Sequence, residues 1–216
     1  PFALYDVYGT EPEGIDFGYV VVGKMTSLLQ TLKAGDPIEI WGPLGNGFPS
    51  PPNGHLLIAA GGIGQTPFLA VIREALSRRT YGMPARRIAA PPKKITLCYG
   101  VRSAEYLAGV DEFVSEGIDV RISTDDGSAG RRGFVTDVLK DSIEAGGPPI
   151  TVYCCGPEPM MHAVSKVVLA AGIPGWFSLE TPMACGFGAC FSCVTKIRQD
   201  EGGWDYRRVC VEGPVF

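Results

Sequence analysis

Four cysteines near the C-terminus are the residues best suited to chemistry. Cys185, Cys190 and Cys193 are separated by four and then two residues, and Cys210 follows after sixteen more. Four thiolates can hold an iron–sulfur cluster or a zinc ion. The Cys-x4-Cys-x2-Cys spacing is the one plant-type [2Fe–2S] proteins use, whereas structural zinc usually takes two short Cys pairs. Gly186, Phe187, Gly188 and Ala189 between the first two ligands are mostly small, as expected of a loop that must turn tightly and aim backbone N–H groups at sulfur. The spacing therefore favours [2Fe–2S], with zinc and unligated thiols as the other readings.

A second candidate is Gly61-Gly62-Ile63-Gly64-Gln65-Thr66-Pro67. Glycines at a strand–helix junction permit close backbone approach, and a helix start offers free N–H groups to a phosphate. The stretch lacks the G-x-G-x-x-G spacing and the acidic residue ~20 positions on, so it is not the usual dinucleotide fingerprint. Tyr153-Cys154-Cys155-Gly156-Pro157-Glu158-Pro159-Met160-Met161 forms a third candidate, in which Cys155 is placed to face a ligand. Cys98 and Cys154 read as small buried hydrophobes. His55 and His162 have no partner spacing, no Ser/His/Asp arrangement is evident, and no side chain is assigned as catalytic.

The elements that would position these residues follow from periodicity. Strands are expected at 56–60, 95–99, 118–123, 150–154 and 176–179, with helices at 67–79, 104–115, 135–144 and 158–171. Thr66 is expected to cap the first of these helices, with Pro67 at its first position. Alternating strands and helices specify a five-stranded parallel sheet, whose ligands bind at the carboxyl ends of the strands. That edge would collect the loops 61–66, 100–103, 124–130 and 155–159. Were the ligand of this edge a nicotinamide dinucleotide, Asp125 and Asp126 in the third loop would repel a 2′-phosphate and favour NADH over NADPH, opposed by Arg131 and Arg132. The first 54 residues read differently: strands at 2–7, 17–22 and 38–41, a helix at 25–32, and a turn-rich boundary from 42 to 52. Between 78 and 94 lie six basic residues and three prolines, which read as a solvated loop.

Composition closes off several classes. The chain has 216 residues, 45% hydrophobic and 19% charged, with a net charge of −4; a packed core is available, and a strongly basic nucleic-acid surface is not. No segment is long and apolar enough for a membrane span. Seven cysteines, an odd number with no visible secretory signal, argue for a reducing cytoplasm rather than a disulfide framework.

The Gly-Gly-x-Gly-x-x-Pro loop, Cys155-Gly156-Pro157-x-Pro159-Met160-Met161 and the four-cysteine loop occur in an order that resembles ferredoxin reductase-like flavoproteins. Within these, Ser178-Leu179-Glu180-Thr181-Pro182-Met183-Ala184-Cys185 resembles the electron-transfer subunit of type B dihydroorotate dehydrogenase. So do Gly42-Pro43-Leu44-Gly45-Asn46-Gly47-Phe48, Thr124-Asp125-Asp126-Gly127-Ser128 and the ending Arg208-Val209-Cys210-Val211-Glu212-Gly213-Pro214-Val215-Phe216. The resemblance implies a β plus α/β architecture: a partial flavin-binding barrel lacking its N-terminal half (1–53), an NAD-binding α/β domain (54–177) and a [2Fe–2S] lobe (178–216). It implies NAD(H) at Gly61, Gly62, Gly64, Thr66, Pro67, Asp125, Cys155, Gly156 and Pro157, and the cluster at Cys185, Cys190, Cys193 and Cys210. FAD would meet Pro1, Phe2, Ala3 and Leu4 together with Val22, Gly23, Met25 and Thr26, where Ala3 stands for the family's serine and Met25 for its glycine. The expected partner is an FMN-containing dihydroorotate dehydrogenase catalytic subunit in a hetero-oligomer of pyrimidine biosynthesis. The alternatives are the reductase subunit of another NADH-linked complex, such as a sulfhydrogenase, and a non-catalytic cluster-binding or redox-sensing module. About three further strands are expected ahead of residue 1 to close such a barrel, and weak or absent FAD binding is expected of the 216-residue chain by itself.

Overall fold

The computed structural model describes residues 2–8, 13–82, 84–86, 88–199 and 201–216. Pro1, one of the expected flavin contacts, lies outside them.

Apolar runs buried on both sides make a central parallel sheet. Its strands are β3 (His55–Gly61), β4 (Lys94–Val101), β5 (Asp119–Thr124), the two-residue edge strand β6 (Arg131–Arg132), β7 (Ile150–Cys155) and β8 (Gly175–Ser178), in the order β6-β5-β4-β3-β7-β8. The five expected strands are all present, and β6 is a sixth that two exposed arginines did not announce. Every residue of β3 is buried. On one face Leu56, Ile58 and Ala60 pack with Phe68, Leu69 and Ile72 of α2 (Phe68–Ala75) and with Phe113 of α3 (Val110–Ser115). On the other, Leu57 and Ala59 meet Val135, Val138 and Leu139 of α4 (Val135–Glu144) and Val164 and Val168 of α5 (Glu158–Ala170). Each Val, Leu, Ile or Phe among them, fully buried, contributes about 1.5–3 kcal/mol relative to exposure.

Several expected boundaries change. Helix α2 stops at Ala75 instead of continuing to Arg79, because Ser77 takes a left-handed φ of 55° and donates its N–H back to Glu74, an αL helix ending. Thr66 does not cap α2. A 3₁₀ turn over Gly62–Gln65 runs into it, Thr66 is itself helical, and its hydroxyl donates to the Ile63 carbonyl at 2.9 Å. The expected helix at 104–115 splits into a 3₁₀ turn, Ala104–Tyr106, and α3, since Leu107 is extended and Gly109 has φ 70°.

The N-terminal segment forms an antiparallel ribbon, β1 (Leu4–Tyr8) with β2 (Gly14–Phe17), and a short helix α1 (Lys24–Leu29). The strands expected at 17–22 and 38–41 do not form, Phe17 instead ending β2, because no neighbouring strand offers them a ladder among the described residues. Val22, Met25, Leu28, Ile40 and Trp41 are left exposed. The C-terminal lobe carries a hairpin the sequence reading missed, β9 (Val194–Arg198) with β10 (Trp204–Arg208).

Candidate functional site

The chain builds β3, β4 and β5 outward in one direction, then places β7 and β8 on the other side of β3. The switch point lies between β3 and β7, where doubly wound sheets open a ligand crevice at the strands' carboxyl ends. Two of the expected ligand loops meet there. Ala60 pairs with Cys155 in the parallel register, and the following backbones touch so closely that side chains are excluded. A Cβ on Gly64 would lie 2.4 Å from the Cys155 carbonyl, and one on Gly61 2.3 Å from the Met160 sulfur. Gly62, with φ 53°, instead faces open space, leaving a bare backbone that a pyrophosphate can approach. Thr66 is buried and Pro67 half-buried behind this turn. Cys155 is half-buried, and burial pushes its thiol up to about 11 despite a hydrogen bond with Ser178, so it is a neutral wall of the crevice.

Asp125 and Asp126 follow β5 on the same edge, both exposed. The Asp126 carboxylate accepts from the Ser128 hydroxyl (2.6 Å) and N–H (2.9 Å), and these bonds hold it below the ordinary carboxylate range. Arg131 is bound to Asp141 of α4 and turned away. Arg132 makes no ion pair among the described residues.

The sheet's last strand leads into the cysteine lobe: Ser178 of β8 pairs with Cys155 of β7. The thiols form two pairs. Cys193 and Cys210, each 2% exposed, have sulfurs 3.2 Å apart. Cys190 is exposed, and hydrogen bonds from Ser192, first its hydroxyl and then its backbone, followed by those from Cys185, pull its thiol down to about 6. No three His, Cys, Asp or Glu side chains converge on one metal-ion position among the described residues. Two thiolate pairs suit a two-iron cluster, in which each iron takes two cysteines, better than one zinc needing four at a point. Gly186 (φ 76°) and Gly188 (φ 87°) supply the expected tight turns. Leu44 and Trp41 lie against Gly186, and Asn46 ties the 42–52 segment to the C-terminal tail through its amide: Nδ2 donates to the Glu212 carbonyl, and Oδ1 accepts from Val215 N–H.

The described residues among the expected flavin contacts fall at two elements, Phe2, Ala3 and Leu4 at the start of β1 and Val22, Gly23, Met25 and Thr26 at the start of α1. Phe2 stacks on Phe17 at 5.2 Å, and Ala3 and Leu4 lead into β1. Val22 and Gly23 N–H groups both donate to Thr26 Oγ1, at 3.0 and 3.1 Å, while Met25 is exposed. An aromatic ring system would find apolar surface at Phe2, Leu4, Val22 and Met25. Ala3 offers it no hydroxyl.

Sequence reading missed the roles of Arg78, Arg79 and Arg86, which make ion pairs and hydrogen bonds to the rest of the fold. Arg79 binds Asp6 and Arg78 binds Glu116, joined by Arg73, which contacts both carboxylates; Arg86 donates to the Phe48 carbonyl at 2.6 Å. Tyr81 completes the Asp6 site with a 2.7 Å hydrogen bond. His55 is buried against Thr96 at 2.9 Å at the start of β3, the end away from the crevice, and His162 is exposed on α5.

A doubly wound sheet with a glycine loop at its switch point and a cysteine lobe at its edge defines a ferredoxin–NADP reductase-like oxidoreductase. A solved NADH-dependent reduced ferredoxin–NADP oxidoreductase superposes with a TM-score of 0.81 at 29% identity, over 100% of this chain and 71% of that one. An Amycolatopsis cytochrome P450 reductase, at 24% identity and a TM-score of 0.63 over 81% of this chain and 54% of that one, shares the fold. Residues 57–166 match the oxidoreductase NAD-binding domain, and residues 180–216 the iron–sulfur cluster binding domain of dihydroorotate dehydrogenase B. The dihydroorotate dehydrogenase B (NAD(+)) electron transfer subunit of Caldanaerobacter subterraneus is 36% identical over all of this chain and 77% of its own length; that of Clostridium acetobutylicum is 37% identical over all of this chain and 76% of its own. The chain belongs to the family of dihydroorotate dehydrogenase B electron-transfer subunits. It spans about three quarters of the length of these relatives, and no helix among the described residues is long and apolar enough to cross a membrane.

Proposed function

We propose that this chain relays electrons between NAD(H) and the FMN-containing catalytic subunit of dihydroorotate dehydrogenase, in the cytoplasmic synthesis of pyrimidines. The observation that carries the reading is the β7–β8 register. It sets Ser178, where the cysteine lobe begins, beside Cys155 at the carboxyl end of β7, which supports a short path between a nucleotide in the crevice and a cluster in the lobe. We divide the chain into a flavin segment (1–53), a nucleotide domain (54–177) and a cluster lobe (178–216). Gly61, Gly62 and Gly64 would bring bare backbone to the pyrophosphate, with Thr66, Pro67, Gly156 and Pro157 shaping the crevice, Cys155 forming its wall and Asp125 its ribose end. Cys185 and Cys190 would hold one iron of a [2Fe–2S] cluster, Cys193 and Cys210 the other. Phe2, Ala3, Leu4, Val22, Gly23, Met25 and Thr26 would line the flavin. When bound, these groups supply hydride exchange, division of the electron pair and single-electron carriage, so the protein needs to orient and shield rather than provide an acid–base pair.

The test is anaerobic co-expression with the catalytic subunit. A stable complex with about two irons per copy of this chain, and dihydroorotate-dependent reduction of NAD⁺, are expected. Replacing Cys190 or Cys210 with serine should bleach the cluster or make it labile. One zinc per chain and no iron would overturn the assignment. The resemblance to the ferredoxin–NADP oxidoreductase favours a second reading, the reductase subunit of another NADH-linked complex; turnover with reduced ferredoxin and no association with the catalytic subunit would select it.

A further inference from the structure

Arg208 ends β10, two residues before Cys210, and touches the cysteine loop at two points. Its Nη1 donates to the Gly188 carbonyl at 3.1 Å. Its guanidinium carbon sits 5.1 Å from the centre of the Phe191 ring. Gly188 and Phe191 flank Cys190, and both have left-handed backbones, φ 87° and 56°. Phenylalanine rarely takes that conformation, so the cation–π contact holds the chain where its own preference does not. At Gly188 no side chain is possible beside the guanidinium, since a Cβ would lie 3.2 Å from Nη1 and 2.7 Å from Val211. The Gly188 N–H in turn hydrogen-bonds the Cys210 sulfur. Arg208 is itself oriented by Glu212, which accepts its Nε at 3.1 Å and its backbone N–H at 2.9 Å.

We propose that Arg208 is the positioning residue of the cluster: it clamps the turns on both sides of Cys190 against the end of β10, from which Cys210 follows, and its fixed charge beside the ligand loop favours the reduced cluster. Reduction adds negative charge, and a nearby cation stabilises it, raising the midpoint potential. Glu212 opposes this in part. The inference rests on the cluster assignment made above.

The experiment uses the complex isolated anaerobically with wild-type chain, Arg208→Gln, Arg208→Lys and Glu212→Gln. Iron and sulfide are assayed first, then the midpoint is read by EPR-monitored potentiometric titration. Arg208→Gln should shift it to more negative values, Arg208→Lys should restore part of the shift, and Glu212→Gln should move it to more positive values. A residue that only braced the fold would alter melting and leave these midpoints in place. Full iron content in Arg208→Gln with an unmoved midpoint overturns the proposal. Should Arg208→Gln fail to hold iron, Glu212→Gln decides: a positive shift supports the proposal, and no shift or a negative one overturns it. Absence of iron from the wild type would defeat the cluster assignment and this inference together, whereas iron with indifferent midpoints defeats this inference alone.

Discussion

At the scale of single residues, cofactor choice turns on which charges are free. The acidic pair after β5 opposes a 2′-phosphate, and the arginines beside it could cancel that effect. The ion pair of Arg131 with Asp141 removes one of them, while the Ser128 hydrogen bonds keep Asp126 ionised and in place. NADH preference is therefore the expected outcome, with Arg132 left to oppose it. Asp126→Asn keeps an oxygen for the Ser128 N–H and deletes the charge, so kcat/KM for NADPH relative to NADH should rise about five- to tenfold. The check is steady-state kinetics of the intact complex with both nucleotides at low salt, where screening is least. An unchanged ratio would show that Asp126 does not face the ribose.

At the scale of elements, the β1–β2 ribbon is fastened to the nucleotide domain by charge. Asp6, 6% exposed, receives Arg73, Arg79 and Tyr81, and Glu116 after α3 receives Arg73 and Arg78. Burial pushes both carboxyls up, and their hydrogen bonds and arginine neighbours more than reverse it, so both lie below 3.8 and 4.5 respectively. A carboxyl depressed in the folded state stabilises fully above its unfolded value and loses that contribution as pH falls through the folded value. Melting temperature should therefore hold between pH 7 and about 5, as far as these groups act, and fall below about 4.5. Asp6→Asn should cost about 2 kcal/mol, discounted for the partly exposed arginines, and flatten the acid limb; an identical slope in the variant would count against the network. None of this was legible in sequence, because Asp6 lies 67 and 73 positions from Arg73 and Arg79 and neither marks the other. What was legible were β3, β4, β7, α4 and α5, whose apolar runs or faces are buried and whose periodicity is therefore their own. The β9–β10 hairpin escaped notice since Lys196 and Arg198 fall in phase with Val194 and break the alternation of β9, and the expected strands at 17–22 and 38–41 had the composition of strands without the neighbours that make one.

At the scale of the whole molecule, the cysteine lobe is joined to the rest by more than its chain connection through β8. Phe177 and Phe216 exchange backbone hydrogen bonds at 2.8 and 3.0 Å, which returns the C-terminus to the sheet edge. Asn46 provides the second tie. Its own N–H donates to the Gly213 carbonyl at 2.6 Å, its side chain bonds Glu212 and Val215, and Gly45 beside it must lack a Cβ because one would sit 2.1 Å from the Gly213 oxygen. Close by, Phe48 stacks on Tyr153 of β7 at 4.8 Å, and the Tyr153 hydroxyl donates to the Pro49 carbonyl. The 42–52 segment thus pins the tail bearing Cys210 to the strand bearing Cys155, and the spacing between nucleotide crevice and cluster depends on it. Asn46→Ala deletes three side-chain hydrogen bonds at roughly 0.5–1.5 kcal/mol each, so a loss of about 1–3 kcal/mol is expected after allowing for the solvent-exposed one. The loss should be local to the tail: hydrogen exchange quickens in 209–216 and iron is released faster to a chelator, while exchange in β3 and β4 stays slow. Uniformly faster exchange across the sheet would mean that Asn46 supports global stability instead, and unchanged iron release would separate the tail's anchoring from the integrity of the cysteine site.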